Sequence, residues 1–337
     1  MKTGTDFAYY LTRFFSEYLA IVRNYSKNTI TAYSDTFQLL LLFCKNVYEI
    51  SIEKLTIKKI NEKLIIHYLD WLQKERKCSI STVNQRLSGI HSFFHYLQAQ
   101  EPEYLFLCQK ILSIPLKKAP KTIVRHFTVE QTTFLLKQPD KQTKKGRRDL
   151  VLLSVLYDTG ARVQEICDLR VKDVRLDRPP ILTLTGKGCK TRHVPLMGNT
   201  ANLLKMYMQE NNLSVKEKPD SPLFYSQQYR ALTRGGITHI LQKYVEKTLS
   251  QTQDMPSKAT PHMLRHSKAV HLLQAGINII IIRDIMGHNS VKTTELYTKV
   301  DVETKRKTLE KACTGIVTEE LPDWNQDENL LDFLKNL

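Results

Sequence analysis

Only one stretch of this chain alternates as a half-buried strand pair does. Residues 181–185 and 191–196 flank a tight Gly186-Lys187-Gly188-Cys189 turn, the pattern of a β-hairpin. Elsewhere the apolar residues recur at helical spacing, which excludes a sandwich or barrel. The expected fold is therefore mainly α with a small β-hairpin or sheet. At 337 residues, two domains are expected rather than one.

The first 112 residues read as helices alone. Leu11, Phe14, Phe15, Tyr18, Leu19 and Val22 form one stripe, and Ile30, Tyr33, Phe37 and Leu40 form a second after a break at 24–28. A third helix follows Asn61, a good N-cap, and places Ile65, Tyr68, Leu69 and Leu72 on one face. The fourth is predicted to open at Thr82, with Gln85 completing a capping box, and to bury Val83, Leu87, Ile90, Phe94 and Leu97. Together they predict a four-helix-type domain over 1–112.

Residues 113–125 carry Pro115 and Pro120 with several bases and read as a basic linker. Thr128 and Gln131 then cap the first helix of a mixed α+β domain over 126–318. Within it, an apolar helix over 149–157 precedes a Thr159-Gly160 turn, a helix over 162–169 and the hairpin. The last segment, 319–337, is acidic, with Leu330, Leu334 and Leu337 at helical spacing. So short an apolar helix must dock on something, either its own domain or another protomer.

Lys+Arg 50 against Asp+Glu 34 leaves a charge of +16, which calls for a polyanionic partner such as nucleic acid or an anionic membrane surface. The apolar runs at 39–43 and 279–282 are far too short to span a bilayer, and no apolar signal core follows Met1. A cytoplasmic, nucleoid-associated protein acting on DNA is expected, with no membrane partner. The six cysteines are scattered, with neither disulfide nor zinc spacing. There is no phosphate-binding G-x-x-x-x-G-K-[ST] loop, and the motifs taken up below lack the carboxylate clusters of a two-metal nuclease, which agrees with the exchange free of cofactor and metal that the family resemblance given below implies.

Several residues carry chemistry suited to phosphate. Thr260 and Pro261 start a helix whose first turns hold His262, Arg265 and His266 on one face, where free N–H groups favour an anion. Arg162 starts another helix with Glu165 three residues on, a guanidinium backed by a carboxylate. Lys187 sits on the hairpin turn, where a lysine can reach into a groove or deliver a proton to a leaving oxygen. Tyr297 needs nearby cations to act as a phenolate nucleophile. Taken singly, the ordinary readings prevail: a capped surface helix, an exposed ion pair, a solvated hairpin tip and a half-buried anchor.

Their order carries more than any one of them. Y-x-T-G-x-R-x-x-E from Tyr157, G-K-G-x-K-x-R-x-V-P-L from Gly186, H-x-L-R-H from His262, Gly287-His288, and T-T-x-x-Y-T from Thr293 resemble the tyrosine recombinase (phage integrase) family along nearly the whole chain. The resemblance implies an N-terminal core-binding domain joined to a catalytic domain. It implies that Arg162 and Arg265 clamp the scissile phosphate, that Lys187 protonates the departing 5′-oxygen, and that His262 and His288 bond phosphate oxygens. It makes Tyr297 the nucleophile of a 3′-phosphotyrosyl intermediate, with Glu165 and His266 in support. Met286 stands where leucine is usual and Lys299 where histidine often follows the tyrosine, neither at a catalytic position.

The same resemblance sets the fourth helix against the major groove, where Asn84, Gln85, Arg86 and His91 lie off its apolar stripe. Further DNA contacts are expected from Lys117, Lys118 and Lys121 in the linker, Lys144, Lys145, Arg147 and Arg148 ahead of the Arg162 helix, and Lys190 and Arg192 on the hairpin. Partners implied are double-stranded recombination sites, a homo-oligomer assembling as a tetramer on two sites, and other recombinases or accessory proteins. With the first helix close behind Met1, a simple recombinase lacking an arm-binding domain is expected, serving a mobile element or replicon resolution. A type IB topoisomerase would use nearly the same groups on one duplex. A DNA-binding regulator would have a degenerate site, whereas here every catalytic position is filled.

Overall fold

Asn61 accepts a hydrogen bond from the Leu64 N–H at 3.0 Å, and Thr128 and Gln131 close the reciprocal box expected of them. Such caps satisfy N–H groups that a helix start leaves without partners, each worth about 1 kcal/mol. The computed structural model describes residues 5–120, 125–252, 254–287 and 335. Lys121, His288, Tyr297 and nearly all of 319–337 lie outside the described residues, as does the side chain of Lys187. The chain divides into two compact units, Met1–Thr122 and Ile123–Leu337.

In the first unit, α1 (Asp6–Arg13) runs on as a π-helix over Phe14–Val22, followed by α2 (Lys27–Val47), α3 (Glu62–Lys74), α4 (Ile80–Gln100) and α5 (Leu105–Leu112). The π segment corrects the first stripe. Bonds from i to i+5 widen the turn, so Phe14 and Leu19, five apart, stay buried while Val22 is 70% exposed. α4 begins earlier than expected because Ser79, not Thr82, is its cap, accepting from the Thr82 N–H at 3.2 Å. The short α5 escaped the periodicity reading, being only two turns long; it buries Cys108 and Ile111. α4 packs on α2, α3 and α5, with Phe93 edge-on to Phe14 and Phe37 at 5.4 Å in each case.

The second unit holds α6 (Val129–Lys137), α7 (Lys144–Thr159), α8 (Val163–Asp168), strands β1 (Val174–Arg175), β2 (Ile181–Thr185) and β3 (Thr191–Pro195), then α9 (Gly198–Glu210), α10 (Arg234–Leu249), α11 (Pro261–Gln274) and α12 (Ile279–Met286). α7 starts five residues before the expected 149 because Thr143 caps it, so the basic run 144–148 forms its first turns. Leu152, Leu153, Val155 and Leu156 are all fully buried, since α6, α9 and α11 surround the helix. The sheet is antiparallel in the order β1-β2-β3, pairing Leu182 with Val194 and Leu184 with Arg192. Leu182, Leu184 and Val194 turn into the core, and the two-residue period puts Arg192 on that same face. Among the described residues no helix is long and apolar enough to cross a membrane.

Candidate active site

α7 ends at Gly160, whose φ of +57° is the left-handed cap conformation. A Cβ there would also lie 2.6 Å from the Met286 sulfur, so glycine lets α12 approach the turn. Two residues later Arg162 is the N-cap of α8. Glu165 folds back on it, its Oε2 accepting from the Arg162 backbone N–H at 2.7 Å and its Oε1 from Nη1 at 2.9 Å. The spacing of three is thus realised as half of a capping box plus an ion pair.

Glu165 has a second cationic partner from a distant element. Nη1 and Nη2 of Arg192 reach Oε1 and Oε2, each at 2.8 Å, in a fork-on-fork pair. The carboxylate is 3% exposed. Burial, the largest influence, pushes its proton affinity up, but hydrogen bonds from Arg192 and Arg162 outweigh it and hold Glu165 below the usual carboxylate value.

On α11, Thr260 occupies the N-cap position and Pro261 the first helical one, although the Thr260 hydroxyl makes no cap bond. Arg265, 3% exposed, donates from Nη1 to the Gly160 carbonyl at 2.6 Å and from Nη2 to the Met286 carbonyl. The rings of His262 and His266 stack 6.1 Å apart. His262 is open to solvent on one side. Desolvation on the other, then the charges of Arg265 and Arg162, push its imidazole below the ordinary value. Burial first, then His262, Arg265 and His126, lower His266 to about 4, so it is neutral at pH 7.

Three arginines from three elements meet the end of α12. Arg192 Nε donates to the Ile285 carbonyl at 2.9 Å, Arg265 to Met286, and Arg162 Nη2 to Gly287 at 2.9 Å. These are carbonyls that a helix end leaves without partners, at the negative pole of its dipole. Gly287 closes the helix with φ +62°, and a Cβ there would meet Arg192 Nη1 at 2.8 Å.

Arg162, Glu165, His262, Arg265 and His266 are thus brought together. Lys187 lies on the turn between β2 and β3. Of the residues expected to touch DNA, Gln85, Lys117, Lys118, Lys144, Lys145 and Lys190 are exposed. Several of the expected DNA contacts also have partners within the protein. The Asn84 amide pairs with the Lys117 backbone, donating to its carbonyl at 2.7 Å and accepting from its N–H at 2.9 Å. Arg86 donates to the Ala32 carbonyl, and a His91 ring nitrogen bonds the Ile111 carbonyl. Arg147 pairs with Glu210, while Arg148 pairs with buried Asp149 and reaches the Tyr225 carbonyl. Arg192 is committed to Glu165. The alternation Arg192, Val194, Leu196 on one strand face was the available signal for its inward direction.

A family model described as "Phage integrase family" matches residues 125–304, and one described as "Phage integrase, N-terminal SAM-like domain" matches 12–101. The putative integrase/recombinase y4rC of Sinorhizobium fredii is 32% identical over 338 residues, covering 100% of both chains. The tyrosine recombinase XerC of Bacillus subtilis is 31% identical over 299 residues, 88% of this chain and 93% of its own. Among solved structures, the XerH site-specific recombinase bound to palindromic difH substrate, a post-cleavage complex, superposes with a TM-score of 0.65 at 26% identity, covering 86% of this chain and 80% of that one. The Tn1549 transposon integrase with transposon right end DNA shares the fold, with a TM-score of 0.67 at 18% identity over 90% of this chain and 97% of that one.

Proposed function

The chain belongs to the phage integrase family of tyrosine recombinases and is a site-specific DNA recombinase; from that premise we propose how its own residues cleave and rejoin DNA. Tyr297 attacks the scissile phosphorus, forming a 3′-phosphotyrosyl bond as the bond to the 5′-oxygen breaks. The phenol proton passes to the histidine side of the site, to His288 or His262, and Lys187 supplies the proton that the departing 5′-oxygen takes up. Arg162 and Arg265 hold the non-bridging oxygens and meet the charge that builds on the phosphorane, an electrostatic contribution of about 2.7–4 kcal/mol per donor. A 5′-hydroxyl from a second duplex reverses the step. One phosphoester replaces another, so the exchange is balanced without an energy source.

The observation that carries this reading is the convergence of Arg162 and Arg265 on adjacent carbonyls, Gly287 and Met286. Two guanidiniums locked by backbone need little reorganisation when a phosphate arrives. His262 beside them is kept largely unprotonated at neutral pH by burial and by both arginines, as a proton acceptor requires. In the same reading residues 1–112 bind the recombination site through the exposed face that includes Gln85, with 113–125 as the linker. The catalytic domain spans 126–318, and 319–337 docks on a neighbouring protomer in a tetramer on two sites. The protein works at the nucleoid, for a mobile element or in replicon resolution.

A nicked duplex, selected from a randomised pool by covalent trapping, tests the chemistry. Wild-type protein is expected to form a covalent adduct, and Tyr297→Phe to form none while binding the duplex with unchanged affinity. Adduct at wild-type level in that variant removes Tyr297 from its role. Recombinant product from a two-site plasmid is expected; relaxation without exchange would favour a topoisomerase.

A further inference from the structure

Arg192 links three parts of the site, and no role in the proposed chemistry uses it. It reaches inward from β3, lies fork to fork on Glu165 and donates to the Ile285 carbonyl. Glu165 in turn holds both the backbone and the guanidinium of Arg162. Resting on the recombinase reading, we propose that Arg192 is a positioning residue for DNA cleavage, which acts through Glu165 to aim Arg162 at the scissile phosphate.

The geometry argues for this over a DNA contact. Arg192 has 13% of its side chain exposed, against 36% for Arg162, so Arg162 is the guanidinium that looks outward. Both Glu165 oxygens are engaged by the two arginines, so the carboxylate cannot rotate without losing bonds to each. The fork also fastens β3 to the end of α12, where Arg162 makes its other bond at Gly287. A shift of β3 would therefore be passed to Arg162 at two points. Misplacing a group of this kind by about 1 Å can cost about a hundredfold in rate.

Among the described residues, the charged side chains bonded to Glu165 are Arg162 on its own turn and Arg192 from β3. Removing Arg192 takes away the leading influence that holds the carboxyl down, so burial, which pushes it up, is opposed by the Arg162 bonds alone. A carboxyl that takes up a proton grips Arg162 less well. The defect should then deepen as pH falls, a behaviour that mere loosening of the fold does not produce.

The experiment is single-turnover cleavage of the trapped nicked duplex between pH 5 and 8. Arg192→Met is expected to slow adduct formation about a hundredfold with duplex affinity unchanged within about threefold. The ratio of wild-type to variant rate is expected to grow towards pH 5. In a Glu165→Gln background, adding Arg192→Met should cost less than threefold, with no pH trend. Arg192→Lys keeps the charge but not the fork, and is expected to be at least about fivefold slower than wild type even if Arg192→Met fails to fold. Wild-type rates in Arg192→Lys, a loss of affinity that matches the loss of rate, or full additivity with Glu165→Gln would each overturn the proposal. No adduct from the wild-type protein would instead overturn the functional reading on which it rests.

Discussion

Lys268 and Asp158 form an ion pair inside the second unit, Nζ to Oδ1 3.2 Å, with side chains 14% and 6% exposed. The pair joins α11 to α7 one turn beyond Arg265 and two residues before Gly160, the two groups that meet across the same helices. Lys268 also lies over the Tyr157 ring at 5.2 Å, and Asp158 accepts from the Met197 N–H at 2.9 Å.

Breaking this pair on one side should be costly. Lys268→Met leaves a buried carboxylate without its counter-charge, for which about 3 kcal/mol is the expected loss. Urea unfolding measures it, and Lys268→Met with Asp158→Asn should recover part of the loss. A single variant as stable as wild type would mean that the pair contributes nothing.

Gly287→Ala should harm the site more than the fold. The left-handed backbone costs about 1–2 kcal/mol for a residue with a Cβ, and that carbon would press on Arg192 at 2.8 Å. Cleavage is expected to fall more than tenfold with a modest drop in melting temperature. Unimpaired cleavage would show that Arg192 yields without consequence.

His266 links stability to pH. Its folded value, about 4, lies below its ordinary 6.5, so the unfolded chain binds the proton more readily between these limits. Its contribution is fully present above about 6.5 and is lost as pH falls towards about 4. Comparing the unfolding free energy of wild type and His266→Gln across that window should show a shallower fall in the variant. A ring titration near 6.5 by NMR would contradict the burial argument.

Asn84→Ala should release the connector. Its paired bonds to Lys117 are supplemented by the Lys117 Nζ bond to Gln73 at 2.7 Å. Two hydrogen bonds at about 0.5–1.5 kcal/mol each predict roughly tenfold faster tryptic cleavage at Lys117 and Lys118. Equal rates would mean that the clip does not protect this segment.

Where a few neighbouring residues decide the outcome, the chain could be read directly. Asn61 and the Thr128–Gln131 box cap their helices, the hairpin strands fall where alternation puts them, and Glu165 meets Arg162 because three residues make one helical turn. The tertiary structure decided how the remaining polar groups were used. Arg192 meets a carboxylate 27 residues away, Arg162 a carbonyl 125 residues away, and Arg148 and Asn84 find partners 77 and 33 residues off. Local propensity arises from backbone and side-chain sterics within one turn. The direction of a long cation instead follows from whichever carbonyl or carboxylate packing brings near it and shields from water.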